Sequence, residues 1–316
     1  MVKMDLSETP VKESLSLYDG DVLTYPSVQD GIEDMEYYLD GNGDYHPVAG
    51  LSSGRALVTA PLSHFGYWVI ERQEARAASL DLSQRIQFLL HVGEHFLFES
   101  NPRQLTPPLA GYGETLLQLI ATGRDDLRAP TEEIALAVLQ SGRYEPPEGS
   151  TGYFTRPSRI GVFALEALAA ARGEAIDWES FHVPPDRFWL DAARIGLTET
   201  DPARAAEWAR ELCDAQLQTL QTDQENFSTD VSSGHEISQE AHFLWPIAAI
   251  SFLRLRDSLG LETAPVEHPL METSFRGLQS WVVPPGSWPG APWYSEILDK
   301  TAAAAPELAP RLKVIR

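Results

Sequence analysis

The stretch DLSQRIQFLLHVGEHFLF, residues 81–98, decides the fold class. Ile86, Leu89, Leu90, Gly93 and Leu97 recur at spacings of three and four, which puts them on one face of a helix. Asp81 and Gln84 have the spacing of a capping box, so the helix is expected to open there.

The same period extends outward in both directions. Val28, Ile32, Met35 and Leu39 predict a helix over 27–39, with Asp30, Glu33, Asp34 and Glu36 on its other face. Short helices are expected over 114–121 and 131–140, and longer ones over 158–171 and 185–195. Asp201 followed by Pro202 is an N-cap with proline at the first helical position, opening a helix to about residue 222. Ser233 and Glu236 form a second capping box before a helix over 237–259, which Pro246 should bend and Gly260 end. Residues 51–78 form one long segment with Ala56, Leu57, Leu62, Tyr67, Trp68 and Ile70 as core positions, and Pro61 is expected to break or kink it.

Strand-period runs are short, and a hairpin near 45–51 is the most they support. The expected fold is therefore all-α: a helical bundle or stacked helical hairpins. The run WVVPPGSWPGAP, residues 281–292, cannot be regular and is expected to form a C-terminal strap carrying Trp281, Trp288 and Trp293 over the helices. An acidic, partly extended arm over 1–26 should precede an N-terminal helical subdomain over 27–142. A stretch rich in Gly, Pro and Ser, 143–157, would separate it from a C-terminal helical subdomain over 158–316, unless the two form one continuous domain.

With 316 residues, 43% of them apolar and 22% charged, the chain can bury a sizeable core. Its single cysteine, Cys213, excludes an internal disulfide and suits a reducing cytoplasm. Residues 1–10 lack the basic-then-apolar order of a signal peptide. The apolar run 243–252 is far shorter than the roughly 20 residues that span a bilayer.

Charge is the most informative total: 46 acidic against 24 basic residues, a formal net of −22. A surface of that sign repels nucleic acid and anionic lipid, and it accelerates encounter with a basic protein. The charge is concentrated. Residues 1–44 hold 11 carboxylates against Lys3 and Lys12, and residues 211–253 hold 7 with no Lys or Arg. Asp30, Glu33, Asp34, Glu36, Asp40 and Asp44 are the expected first contact surface for a partner, and Asp223, Glu225 and Asp230 the second.

Catalytic motifs are weak by comparison. His91-Val92-Gly93-Glu94-His95 places two imidazoles one helical turn apart, as zinc peptidases of the H-x-x-E-H type do, with the glutamate as base. The third ligand would have to come from an acid such as Glu166 or Glu174, and Phe88 and Phe98 make the helix face look packed. A zinc-dependent hydrolase is therefore one alternative reading of the chain and a helical scaffold for another basic protein the other, while histidines bonded to neighbouring groups are the preferred account of the pair. The turn Asp40-Gly41-Asn42-Gly43-Asp44 opens like a calcium loop, but Tyr45 and Leu51 occupy the positions that need glycine and a bidentate glutamate. No phosphate-cradling loop or nucleophile elbow occurs, and Cys213 reads as a buried spectator. No metal or cofactor is expected, and oligomeric state is left open.

Two stretches carry a resemblance. SGRALVTAPLSHFGYWVIE (53–71) leads small residues into an aromatic cluster, and LWPIAAISFLRL (244–255) is followed by 260–278. Together they resemble the Immunity protein 49 family, helical antidotes to bacterial polymorphic toxins. The Phe65-Gly66-Tyr67-Trp68 cluster is also similar to immunity proteins of PD-(D/E)xK-type nuclease toxins. The resemblance implies a protein that works by binding a cognate toxin, without catalytic residues. An acidic helical surface suits that role, because its carboxylates can take the place of phosphates in a basic active-site cleft.

Overall fold

A computed structural model describes residues 16–101, 107–143, 158–221, 236–239 and 241–316. All regular elements among them are helical. In chain order they are α1 (Pro26–Leu39), α2 (Ala56–Tyr67), α3 (Ala77–Ser100), α4 (Leu109–Ala121), α5 (Asp125–Gln140) and α6 (Ile160–Ala171). There follow α7 (Arg187–Asp191), α8 (Pro202–Gln221), α9 (Ala241–Leu244), α10 (Ile247–Ser258), α11 (Pro292–Ala304) and α12 (Ala309–Leu312). The chain divides into two compact units. One is formed by Ser14–Pro107, Arg124–Ile134 and Val283–Arg316, the other by Pro108–Gly123 and Ala135–Val282.

In the first unit α1 buries Val28, Ile32, Met35 and Leu39 on the 3₁₀-helix Pro47–Arg55, on α2 and on α11. That 3₁₀-helix replaces the expected hairpin at 45–51. His46 accepts from the Val48 amide and Pro47 starts the turn, a local arrangement that strand pairing cannot match. Pro61 does not break its segment either: α2 runs through it and ends in a π-turn, Trp68–Arg72.

Helix α3 starts one turn earlier than the capping-box spacing suggests, at Ala77. Its burial is not confined to one stripe, since Phe88, Val92, Phe96 and Phe98 are buried along with Ile86 and Leu89. A helix covered on nearly all sides is a core helix, not a surface one. Asp81, the expected cap, is a buried anchor instead. Both Asp81 and Arg124 are fully buried, at 0% exposure, and their side chains form an ion pair. The Asp81 carboxylate also accepts from Arg85 Nε at 3.1 Å and from the Trp288 amide at 2.9 Å. Arg124 donates further to Gln84 at 3.1 Å and to both carboxylate oxygens of Asp126 at 2.8 Å. Burial alone would weaken the Arg124 charge, but the Asp126 and Asp81 carboxylates hold its pKa above the ordinary value. The network ties α3 to the start of α5 and to the C-terminal segment, where Arg85 reaches the Ile315 carbonyl at 2.8 Å.

The second unit is built on α4 and α6. At their crossing, a Cβ on Gly113 would stand 2.6 Å from the Gly161 backbone, so only paired glycines allow the approach. Helix α10 packs on α4, α6 and α8, and Ser251 Oγ donates to the Leu117 carbonyl at 2.7 Å. The helix expected over 237–259 is not continuous: residues 237–239 are not helical, and Pro246 does more than bend the rest, separating α9 from α10. Gly260 follows α10 in the left-handed region at φ 70°. Trp245 is fully buried and stacked on Phe275 at 5.5 Å. The irregular stretch 281–291 precedes α11, and in the first unit Trp288, Trp293 and Tyr294 form one aromatic cluster.

Removing one partner of a buried ion pair leaves an uncompensated charge. Arg124→Ala should therefore lower unfolding free energy by about 3–5 kcal/mol, and the apolar double variant Asp81→Leu/Arg124→Met by less than the single one. Urea unfolding of the three proteins checks this; a single variant within about 1 kcal/mol of the parent would contradict it.

Candidate functional site

The acidic surface is shaped by what α1 must bury. Once Val28, Ile32, Met35 and Leu39 face inward, the three-and-four spacing sends Asp30, Glu33, Asp34 and Tyr37 to one outward side. The three carboxylates are exposed; Glu36, off that side, is half-buried. Asp40 and Asp44 are exposed in the turn that follows. Asp40 is engaged, receiving Lys300 Nζ at 3.0 Å, and Lys300 also meets Glu296 at 3.1 Å. Among the described residues no cation pairs with Asp30, Glu33, Asp34, Glu36 or Asp44. Tyr37 and Tyr45, at 53% and 78% exposure, flank the carboxylates; nothing in the sequence pattern singled them out. Asp223, Glu225 and Asp230, the expected second contact surface, lie outside the described residues.

The Asp30–Glu33 and Asp30–Asp34 pairs are like charges one turn apart. Each such pair costs a helix roughly 0.2–0.5 kcal/mol. A helix that carries this repulsion, with its apolar stripe already satisfied, holds charge that its own stability does not require.

The paired imidazoles of α3 are arranged differently from a metal site. His91 is buried, with Nε2 3.1 Å from the Gln87 amide and Nδ1 3.7 Å from Glu94. His95 is buried too, and its Nδ1 is met by the Arg311 guanidinium at 3.0 Å and by Glu99 at 3.3 Å. Burial pushes the His95 pKa down, against the pull of Glu99 and with the help of Arg311. A guanidinium in the place where a metal would need a lone pair suits a neutral structural histidine. No three His, Cys, Asp or Glu side chains come together to hold an ion among the described residues. Of the third-ligand candidates, Glu166 is fully buried and committed to Trp178 Nε1 (2.7 Å) and Arg194 (2.8 Å), and Glu174 pairs with Arg172 at 3.0 Å.

Two carboxylates of the second unit, Glu114 buried and Glu236 half-buried, were not legible as site residues. Glu114 accepts from the Ser238 amide at 3.1 Å, Ser238 Oγ at 2.7 Å and the Gln239 amide at 3.0 Å, and bonds His242 Nδ1 at 2.7 Å. Burial would raise its pKa, but these donors, His242 first, hold the carboxyl below its ordinary value. The Ser238 hydroxyl is bound to the carboxylate, not to the imidazole, so the trio lacks the nucleophile–base contact of a catalytic triad. Glu236 caps α6 from a distance: its carboxylate takes the Arg159 amide at 3.1 Å and the Ile160 amide at 2.6 Å. It was expected to cap the helix that follows it. Burial raises its pKa, opposed by those two amides.

No family model, no curated protein and no solved structure matches this chain. The residues that carry the resemblance to immunity proteins are packing residues. Phe65 and Gly66 are buried in α2, and Trp68 lies under the Arg76 guanidinium at 3.7 Å. Residues 244–255 are the end of α9 and most of α10.

Two measurements follow from these burials. The thiol of Cys213 is fully buried and pushed up to about 12, by desolvation first and Asp214 second. A thiol reagent at about pH 8 should leave the native protein unmodified and titrate one group in urea; fast labelling of the native protein would contradict the burial. Glu114 has its folded pKa depressed, so its stabilisation is complete above the ordinary value of 4.5 and is lost as pH falls through the folded value. Glu114→Gln should accordingly be less stable near neutrality and show a shallower loss of melting temperature on acidification. Parallel acid limbs for the two proteins would count against this.

Proposed function

We propose that this protein is an immunity protein, which neutralises a cognate bacterial toxin by direct stoichiometric binding. The acidic side of α1, with the turn at 40–44, meets a basic surface on the toxin, such as an active-site cleft that otherwise binds nucleic acid. One observation carries the reading: Asp30, Glu33 and Asp34 stand exposed on one helix side, at a cost to that helix, with no cation against them among the described residues. The net charge of −22 and the resemblance at 53–71 and 244–278 support it.

In this reading the protein acts by occupancy, makes or breaks no covalent bond and needs no cofactor. Its sign of charge disfavours nucleic acid and membrane as partners. No helix among the described residues is long and apolar enough to cross a membrane, which agrees with work in the cytoplasm beside a toxin before its release. Fast capture is what an antidote requires. Electrostatic steering supplies it by raising association rates from about 10⁵–10⁶ toward 10⁸–10⁹ M⁻¹s⁻¹.

Co-expression with the product of the adjacent gene should relieve that product's toxicity and yield a co-purifying complex. The triple variant Asp30→Asn/Glu33→Gln/Asp34→Asn should fold normally but associate about tenfold or more slowly at low salt, with a flatter dependence on ionic strength. An adjacent product that is harmless and does not bind would remove the reading. Unchanged association by the triple variant would move the interface away from α1.

A further inference from the structure

A second feature, in the other unit, is a cavity. The connection between α6 and α7 folds back so that Ser158 donates to the Pro184 carbonyl at 2.8 Å and the Asp186 amide donates to the Ser158 carbonyl at 2.9 Å. Between this bridge and the π-turn Ala192–Gly196 lies an open depression of about 720 Å³. That is within the range of about 300–1,000 Å³ typical of ligand pockets.

Its walls are held in place from beneath. The buried Glu166 carboxylate takes Trp178 Nε1 at 2.7 Å, the Ile176 amide at 3.3 Å and Arg194 Nε at 2.8 Å, and Arg194 Nη2 returns to the Ile176 carbonyl at 2.7 Å. Trp178 and Arg194 are thereby fixed without help from a ligand, so the depression is preformed. The backbone at the rim is strained as well, because His182 sits in the left-handed region at φ 55°. A non-glycine residue stays there only where its surroundings over-determine it.

The lining combines apolar walls with two exposed carboxylates and one paired cation. Trp178, Val183, Pro184 and Leu190 supply the walls, and Asp177 and Glu179 stand exposed at the mouth. The Arg194 cation also lines the depression, but Glu166 offsets it. Asp177 and Glu179 therefore set the sign of the field. An apolar stem with a cationic head complements both features: the stem covers the accessible Pro184 and Leu190 walls, backed by the buried Trp178 and Val183, while the head meets the two carboxylates.

We propose that this depression receives an arginine or lysine side chain of a polypeptide partner. The inference rests on the reading above only for its choice of a polypeptide as the source of the cation; the pocket itself belongs to the unit that does not carry α1.

The test uses the full chain and two capped peptides, acetyl-Gly-Arg-Gly-amide and its citrulline counterpart, which keeps the shape and loses the charge. Calorimetric titration should show saturable binding of the arginine peptide, with the citrulline peptide weaker by about tenfold, the loss expected for one charge-assisted contact. The variant Asp177→Asn/Glu179→Gln, altered at exposed positions only, should fold normally by circular dichroism and lose about tenfold in affinity. The α1 triple variant should bind the peptide as the parent does. Equal binding of both peptides, no saturable binding up to about 10 mM (below any useful affinity), or a loss that tracks the α1 charges would each overturn the pocket. Failure here leaves toxin binding through α1 standing, and a toxin complex that never forms leaves peptide binding standing, so the two outcomes are separable.

Discussion

The first unit depends on one interaction, the ion pair of Asp81 and Arg124, both wholly removed from water. Neither charge is tolerable alone in that setting, since the effective desolvation penalty is several kcal/mol per ion. Each is therefore surrounded by further polar partners: Arg85, Gln84, Asp126 and the Trp288 amide. The consequence is positional. Three stretches far apart in sequence, α3, the start of α5 and the C-terminal segment, must arrive together for the pair to be satisfied. The C-terminal segment brings α11, and α11 is one of the elements against which α1 buries its apolar stripe.

That arrangement orients the exposed charge. With Val28, Ile32, Met35 and Leu39 committed inward, helical geometry leaves Asp30, Glu33 and Asp34 no choice but to project outward together. Three cations elsewhere are engaged: Lys300 by Asp40 and Glu296, Arg194 by Glu166, and Arg311 by His95. The second unit uses its carboxylates the other way, as internal acceptors. Glu114, Glu166 and Glu236 each satisfy backbone or side-chain donors, and Glu114 holds Ser238, Gln239 and His242 while Glu236 reaches the start of α6. Glu114 and Glu166 are thus buried acceptors that build the fold, whereas Asp30, Glu33 and Asp34 are exposed on α1.

Local pattern explains which parts could be read in advance. The Asp201–Pro202 start of α8 and the Gly260 stop are dictated by a few neighbouring atoms, and both are found, whereas Pro246 splits the helix it was expected to bend. The outward side of α1 was legible for the same reason. Asp81 and Glu236 were not, because their capping-box spacing satisfies a local rule while their actual donors come from as far as 207 and 77 residues away. The histidine pair misleads in a similar manner: spacing places both imidazoles on α3, but Arg311, 216 residues on from His95, fills the position that decides their chemistry. Helix α11 stayed hidden behind the proline-rich run that precedes it, although Pro292 occupies its first turn. The cavity beside Trp178 depends on the buried Glu166, and no sequence pattern announces it.

Whether exposed negative charge is the working surface is tested most directly by hydrogen exchange on the protein with and without the product of its neighbouring gene. Binding through α1 requires slowed amide exchange in residues 26–44 of the complex, with the slowing diminished as ionic strength rises. A tight complex whose exchange in that segment is the same as in the isolated protein would contradict the account.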